Sequence, residues 1–406
     1  MRLAAAGIML ACVVLQGCAA LMQEPDTVLV RPPDKMHLMR VLDSNKAPME
    51  PKAALAQEAA LDYEYALMSD SAYFGSAQFP VGAGQWVRLA TCGFKGAAES
   101  MAIVQRENPR ASDEEMRAPG SEQTLLAAQG WKEWPPFLTD ATWCVAVKEG
   151  VAFKVFQRDH ADGGAEIVVA FRGTVFSYPA NWKANFAWVT NTFGNRTDAY
   201  SVVRGPVAQE LLARLRQQFP EDVLRTDRVK IATTGHSLGG SLAQHLAYAF
   251  PPEVGMARSH PGLKVREITV FDPSPVNGWV HVAAALRAGN AGNLPVRRVY
   301  QHGEFLALAR LPLSYVYSAA PVECAGHPEQ CEPLFSEVKY WTSCDADPKF
   351  SRGDGFDGWN ENMVSSHAIQ LLACGLATAA NHKPQRFMCL HQDEIAPKQC
   401  PARMRE

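Results

Sequence analysis

The middle of the chain alternates between short apolar runs and longer stretches with helical spacing. "VAFKVFQRD" (151–159) and "EIVVAFRGT" (166–174) are dense in Val, Ile and Phe and are separated by "HADGG", a pattern that predicts a β-hairpin. "VAQELLARLRQQF" (207–219) repeats its apolar residues near helical spacing and stops before Pro220. There follow the strand-like "VKIATT" (229–234), a helix over 240–250, then "EITVF" (267–271) and "VRRVY" (296–300). Strands separated by helices predict a mostly parallel sheet flanked by helices on both faces, an α/β fold. "ALAQEAALDYEYALMSDSAY" (54–73) reads as an opening helix, and "SSHAIQLLACGLATAA" (365–380) as a late helix apolar enough to be buried.

One junction in this pattern carries chemistry. Between the strand ending at Thr234 and the helix near Gly240 stands "GHSLG", which fits G-x-S-x-G, the nucleophile elbow of α/β-hydrolase sheets. The turn is sharp enough that side chains two residues either side of Ser237 would collide with strand or helix, hence Gly235 and Gly239. The helix start behind the serine supplies N–H groups and a positive dipole end.

A serine hydroxyl is a weak nucleophile at neutral pH. It needs an imidazole to take its proton and a carboxylate to orient that imidazole. In this architecture the chain order is Ser, acid, His. His245 lies within the helix that follows the serine, and His260 and His281 flank connecting segments. His367 stands at the entry to the late helix, where a base is expected. Two acids follow strands: Asp272 after "EITVF" and Glu304 after "VRRVY". The acid usually follows the second of these strands, so Glu304 is the expected partner and Asp272 the reserve. An oxyanion hole needs two N–H groups. Leu238, next after the serine, is one candidate, and Thr174, at the end of "VVAFRGT", is the other.

Taken together, "VVAFRGT", "NWKANFAWV", "VKIATTGHSLGGSLAQHLA", "ITVFDPSPVNG" and "RRVYQHGEFLALARLP" occur in an order that resembles the class 3, filamentous-fungal-type lipases, over residues from about 60 to 375. The resemblance implies an α/β-hydrolase fold, Ser237 as nucleophile, His367 as base, Thr174 and Leu238 as oxyanion donors, and no cofactor. The family's acid is normally Asp, and this chain has Glu304 there; Asp272 stands where the family has glycine. "YPANWKANFAWVTNTF" occupies the place of the family's lid, with Trp182, Phe186 and Val189 at i, i+4 and i+7 on one helical face. The substrates implied are lipid or ester, with triacylglycerols foremost, phospholipase A1 or small-ester hydrolysis as alternatives, and an inactive lipoprotein scaffold as the reading from another class.

The ends of the chain add a location. "MRLAAAGIMLACVVLQGC" has one Arg, then an apolar run too short for a spanning helix, then small residues, and reads as a secretory signal. Its "LQGC" resembles a bacterial lipobox, which implies lipidation of Cys18 and a membrane anchor. Ala19 after the cysteine implies the outer membrane of a bacterial cell envelope. The expected organisation is a signal over 1–18, a tether over 19–55, an α/β-hydrolase domain over 56–390 with an insertion at about 92–144, and a tail over 391–406. With Cys12 and Cys18 set aside, the other cysteines form an even set, which in an oxidising compartment predicts disulfides. Short loops favour Cys324–Cys331 and Cys389–Cys400, which leaves Cys92–Cys144 and Cys344–Cys374. Paired C-x-x-C or H-x-x-x-H spacing is missing, so zinc is not expected. "GDGFDGWNEN" lacks EF-hand spacing and reads as a polar loop. Lys plus Arg number 39 against 42 Asp plus Glu, with no basic run, so nucleic acid is not an expected partner.

Overall fold

A computed structural model describes residues 27–30, 37–40, 52–73, 92–93, 121–173, 199–224, 226–251, 263–274, 277–278, 281–291, 294–301, 304, 306, 337–342, 349–351 and 367–382. Thr174, Trp182, Phe186, Val189, Cys18, the loop "GDGFDGWNEN" and the expected pairs Cys324–Cys331 and Cys389–Cys400 lie outside them. Within the stretch read as a tether, β1 (Thr27–Val30) and β2 (His37–Arg40) pair as an antiparallel ladder.

The domain is built on an eight-stranded sheet in the order β10-β9-β8-β7-β6-β5-β4-β3. The expected hairpin is present: β4 (Phe153–Asp159) pairs antiparallel with β5 (Ala165–Phe171), from Phe153 opposite Phe171 to Asp159 opposite Ala165. Gly163 sits in the connecting turn at φ +76°, a conformation that L side chains resist. From β5 the sheet continues in parallel through β6 (Val229–His236), β7 (Val265–Phe271), β8 (Val296–Gln301) and β9 (Glu337–Thr342). Short antiparallel strands close the edges: β3 (Lys132–Glu133) on β4 and β10 (Lys349–Ser351) on β9. This central run of parallel strands, flanked by helices, is an α/β-hydrolase fold.

Two apolar layers cover the sheet. One face packs α1 (Lys52–Ser71) and α7 (Ile369–Ala379) over Val168, Ala170, Ala232, Phe271 and Val299. The other packs α3 (Asp140–Lys148), α4 (Ala208–Gln218) and α5 (Leu238–Ala249) over Ile167, Val169, Phe171, Ile231 and Val270. Burial on both sides is why β5 reads as a near-continuous apolar run rather than an alternating one. A short helix, α2 (Ser121–Ala128), packs Leu126 under α1, and α6 (Ala284–Ala291) lies beside α5. Helix α4 is preceded by a kink at Gly205 (φ −96°, ψ −105°), followed by Pro206, which has no N–H to donate.

Of the expected disulfides, Cys92–Cys144 is present and spans 52 residues of sequence. Cys374 is also disulfide-bonded, to a cysteine outside the described residues. Among the described residues, no helix is long and apolar enough to cross a membrane.

His245 is fully buried on α5, with Nδ1 3.1 Å from the Asn277 carbonyl and its ring edge-on to Tyr200. Burial first, then the charge of Arg204, pushes its pKa down to about 3. An unfolded histidine ionises near 6.5. Between those two values the unfolded chain binds the extra proton, so this contribution to stability is complete above about pH 6.5 and is lost as pH falls. The expected loss is up to about 1.4 kcal/mol per pH unit below that point. Urea unfolding at pH 7 and pH 5 should show a smaller difference in His245→Asn, by about 2 kcal/mol. An equal difference in both chains would contradict this assignment.

Candidate active site

The carboxyl edge of β6 turns into α5 at Ser237, which has φ 56° and ψ −126°. That region is strained for a residue with a side chain, at a cost of about 1–3 kcal/mol, and it persists only where the surroundings over-determine it. Here they do. Ser237 N–H donates to the Phe271 carbonyl at 3.0 Å, and its own carbonyl accepts from Gly240 N and Ser274 N at 3.0 and 3.1 Å. A Cβ on Gly235 would lie 2.5 Å from the Gly239 backbone, and one on Gly239 would run into the Phe171 carbonyl. Gly239→Ala is therefore expected to lower stability by about 1–3 kcal/mol, or to prevent folding. Soluble yield and urea midpoint measure this, and a wild-type midpoint would contradict it.

The loop after β5 abuts this turn. A Cβ on Gly173 would stand 3.1 Å from Ser237 Cβ and would overlap the Tyr73 hydroxyl. Leu238, half-buried at the first position of α5, precedes the first backbone bond of the helix, so its amide belongs to the set without an intrahelical acceptor.

His367 stands just before α7 and is buried, with its ring centroid 4.5 Å from that of His236, the residue before Ser237. Its Nδ1 is 2.7 Å from Glu304 Oε2, and both side chains are removed from solvent. Glu304 Oε2 also accepts from Leu306 N–H at 2.8 Å. Asp272 follows β7 at φ 40° and directs Oδ1 to the Gln301 amide at 2.7 Å. Ligand atoms of His236, Asp272 and His367 lie within 4.8 Å of one another. Thus Ser237, His367, Glu304 and Asp272 converge on one sheet edge, and the carboxylate that reaches Nδ1 of His367 is that of Glu304.

Two neighbours of this edge were not singled out from the sequence. His236 is buried and shares a 2.8 Å hydrogen bond with the Tyr73 hydroxyl through Nδ1. Burial, followed by the proximity of His367, holds the His236 imidazole well below the ordinary histidine range, so it is neutral at working pH. The signal for Tyr73 is the polar run "SDS" directly after the apolar "ALM" (66–68) at the end of α1.

Residues 168–259, which contain the end of β5, the serine turn and all of α5, match the family model of the class 3 lipases. Over these residues the chain is similar to the class 3 lipases. The match supports lipase-type ester hydrolysis. No curated protein matches the chain. Among solved structures, the lipase propeptide complex of Rhizomucor miehei, in its native form, is 15% identical, with 84% of each chain covered and a TM-score of 0.35. A deletion mutant of that complex is also 15% identical, covering 86% of this chain and 88% of that one, with a TM-score of 0.37. The matched stretch ends before Glu304 and His367, whose side chains meet at 2.7 Å.

Proposed function

We propose that the protein cleaves carboxylic esters of lipids, foremost triacylglycerols, with Ser237 as nucleophile, His367 as general base and Glu304 as the orienting acid. The observation that carries this reading is the Glu304–His367 hydrogen bond beside a strained serine turn. A carboxylate only accepts, so Nδ1 donates to it and the basic lone pair of the neutral imidazole lies on Nε2. Nε2 takes the Ser237 proton as the hydroxyl oxygen attacks the ester carbonyl. Leu238 and Thr174 amides stabilise the oxyanion, and the packing of Gly173 against Ser237 supports placing Thr174 there. The alcohol leaves with the proton from His367. Water then attacks the acyl-enzyme by the same route and regenerates the serine.

Anchoring belongs to the same proposal. Lipidation at Cys18 would hold the enzyme against a bacterial envelope membrane, the outer one by the residue after it, and the Cys92–Cys144 disulfide supports export to an oxidising compartment. Trp182, Phe186 and Val189 would form the apolar face of a lid that meets acyl chains.

A p-nitrophenyl ester series of increasing acyl length, run as monomers, as emulsions and beside phospholipid vesicles, tests the substrate class. Each acyl methylene that enters an apolar site contributes about 0.8 kcal/mol, so chain length reports directly on how much apolar surface the site offers. The proposal expects turnover that favours long chains and rises on emulsions. Preference for short soluble esters would make it an esterase, release of fatty acid from vesicles a phospholipase, and no turnover of any substrate would overturn the assignment.

A further inference from the structure

The last residues of α1 and the turn after it, "SDSAY" (69–73), carry four polar side chains, and Ser69, Asp70, Ser71 and Tyr73 are all buried. Burying polar side chains costs free energy unless each is hydrogen-bonded. Here three of the bonds run to the elements that carry or adjoin the proposed nucleophile and base. Ser69 Oγ lies 2.9 Å from Thr234 Oγ1, three residues before Ser237. Tyr73 Oη lies 2.8 Å from Nδ1 of His236, the residue before Ser237. Asp70 Oδ1 accepts from Gln370 Nε2 at 2.8 Å, three residues after His367. Ser71 Oγ accepts from the buried Lys154 ammonium of β4 at 3.1 Å.

Serine and histidine lie on separate elements, β6 and the turn before α7, joined through more than a hundred residues of chain. Nothing local sets their separation. One five-residue segment grips both, and the Tyr73 hydroxyl occupies the space that a Cβ on Gly173, beside the proposed oxyanion loop, would take. Neutral His236 couples the tyrosine to the imidazole of His367, ring to ring at 4.5 Å. Its lack of charge leaves His367 able to take a proton without a repelling cation at that distance.

We propose that Tyr73 and Asp70 are positioning residues, a polar clamp from α1 that sets the spacing of Ser237 and His367. The proposal rests on the Ser-His-Glu reading above. Misplacement of reacting groups by about an ångström costs up to about a hundredfold in rate with little effect on ground-state binding.

The test uses the full chain and a water-soluble p-nitrophenyl ester. Tyr73→Phe, which removes one oxygen, is expected to lower kcat about ten- to a hundredfold and leave KM within about twofold. Tyr65→Phe removes a buried hydroxyl on the same helix that lies near Glu166 and Arg297, leaves the Tyr65 carbonyl bonded to Thr234, and should keep wild-type kcat. Asp70→Ala should lower kcat, and Asp70→Asn, which keeps an acceptor oxygen for Gln370, should recover most of it. Tyr73→Phe combined with His236→Ala should be no slower than His236→Ala alone. Wild-type kcat in both Tyr73→Phe and Asp70→Ala would overturn the clamp while leaving the catalytic reading intact. A wild-type chain that neither hydrolyses esters nor labels with a fluorophosphonate would overturn the catalytic reading, and the clamp with it.

Discussion

Ser237→Ala is expected to lower ester turnover by about a million-fold, to the level that oxyanion donors and substrate binding alone can sustain. The effect is large because the nucleophile and base act as one unit, so losing either removes the covalent route altogether. Alanine keeps the Cβ that Ser237 already holds at φ 56°, so the backbone strain is the same in both chains. The thermal midpoint should therefore change little. Initial rates on a soluble ester, set beside a thermal melt, check both halves of this expectation. Residual turnover within tenfold of wild type would place the nucleophile elsewhere.

Glu304→Ala should cost about a thousand- to ten-thousandfold in kcat, and Asp272→Ala about tenfold or less. Glu304 provides the acceptor that fixes the tautomer of His367 and stabilises the imidazolium formed in each half-reaction. Asp272 instead accepts the amide of Gln301, so its loss strands a buried donor and should lower stability by about 1–3 kcal/mol. The two variants thus separate in rate rather than in stability: both strand a donor, but only Glu304→Ala removes the acceptor that orients the base. Glu304→Asp shortens the reach by one methylene and should fall between, near a hundredfold. Kinetics and urea midpoints for all three chains measure the ranking. Asp272→Ala slower than Glu304→Ala would exchange the roles of the two carboxylates.

Much of the scaffold was readable because its signals are local. The β4–β5 hairpin announces itself by two apolar runs around a glycine-containing turn, and the β6–Ser237–α5 unit by a strand, two obligatory glycines and a helix. Both are present with the expected order. Edge strands were not readable. β3 is two residues long, and "EVKYWT" of β9 mixes charged with aromatic residues, so neither stands out as an apolar run. At the candidate site, the sequence could rank Glu304 over Asp272 only by strand order, since which carboxylate meets Nδ1 depends on where two loops and a distant helix settle. The Tyr73–His236 bond spans 163 positions and the Asp70–Gln370 bond 300, beyond any periodicity. What could have drawn attention to them is the polar run "SDS" that directly follows the apolar "ALM" at the end of α1.

The central claim is that Ser237 is an activated nucleophile. Incubation of the wild-type chain with a fluorophosphonate, followed by peptide mass mapping, tests it most directly. The account predicts one adduct, on the peptide carrying Ser237, formed more slowly in His367→Ala and absent in Ser237→Ala. An adduct on another residue, or none on a folded wild-type chain, would contradict it.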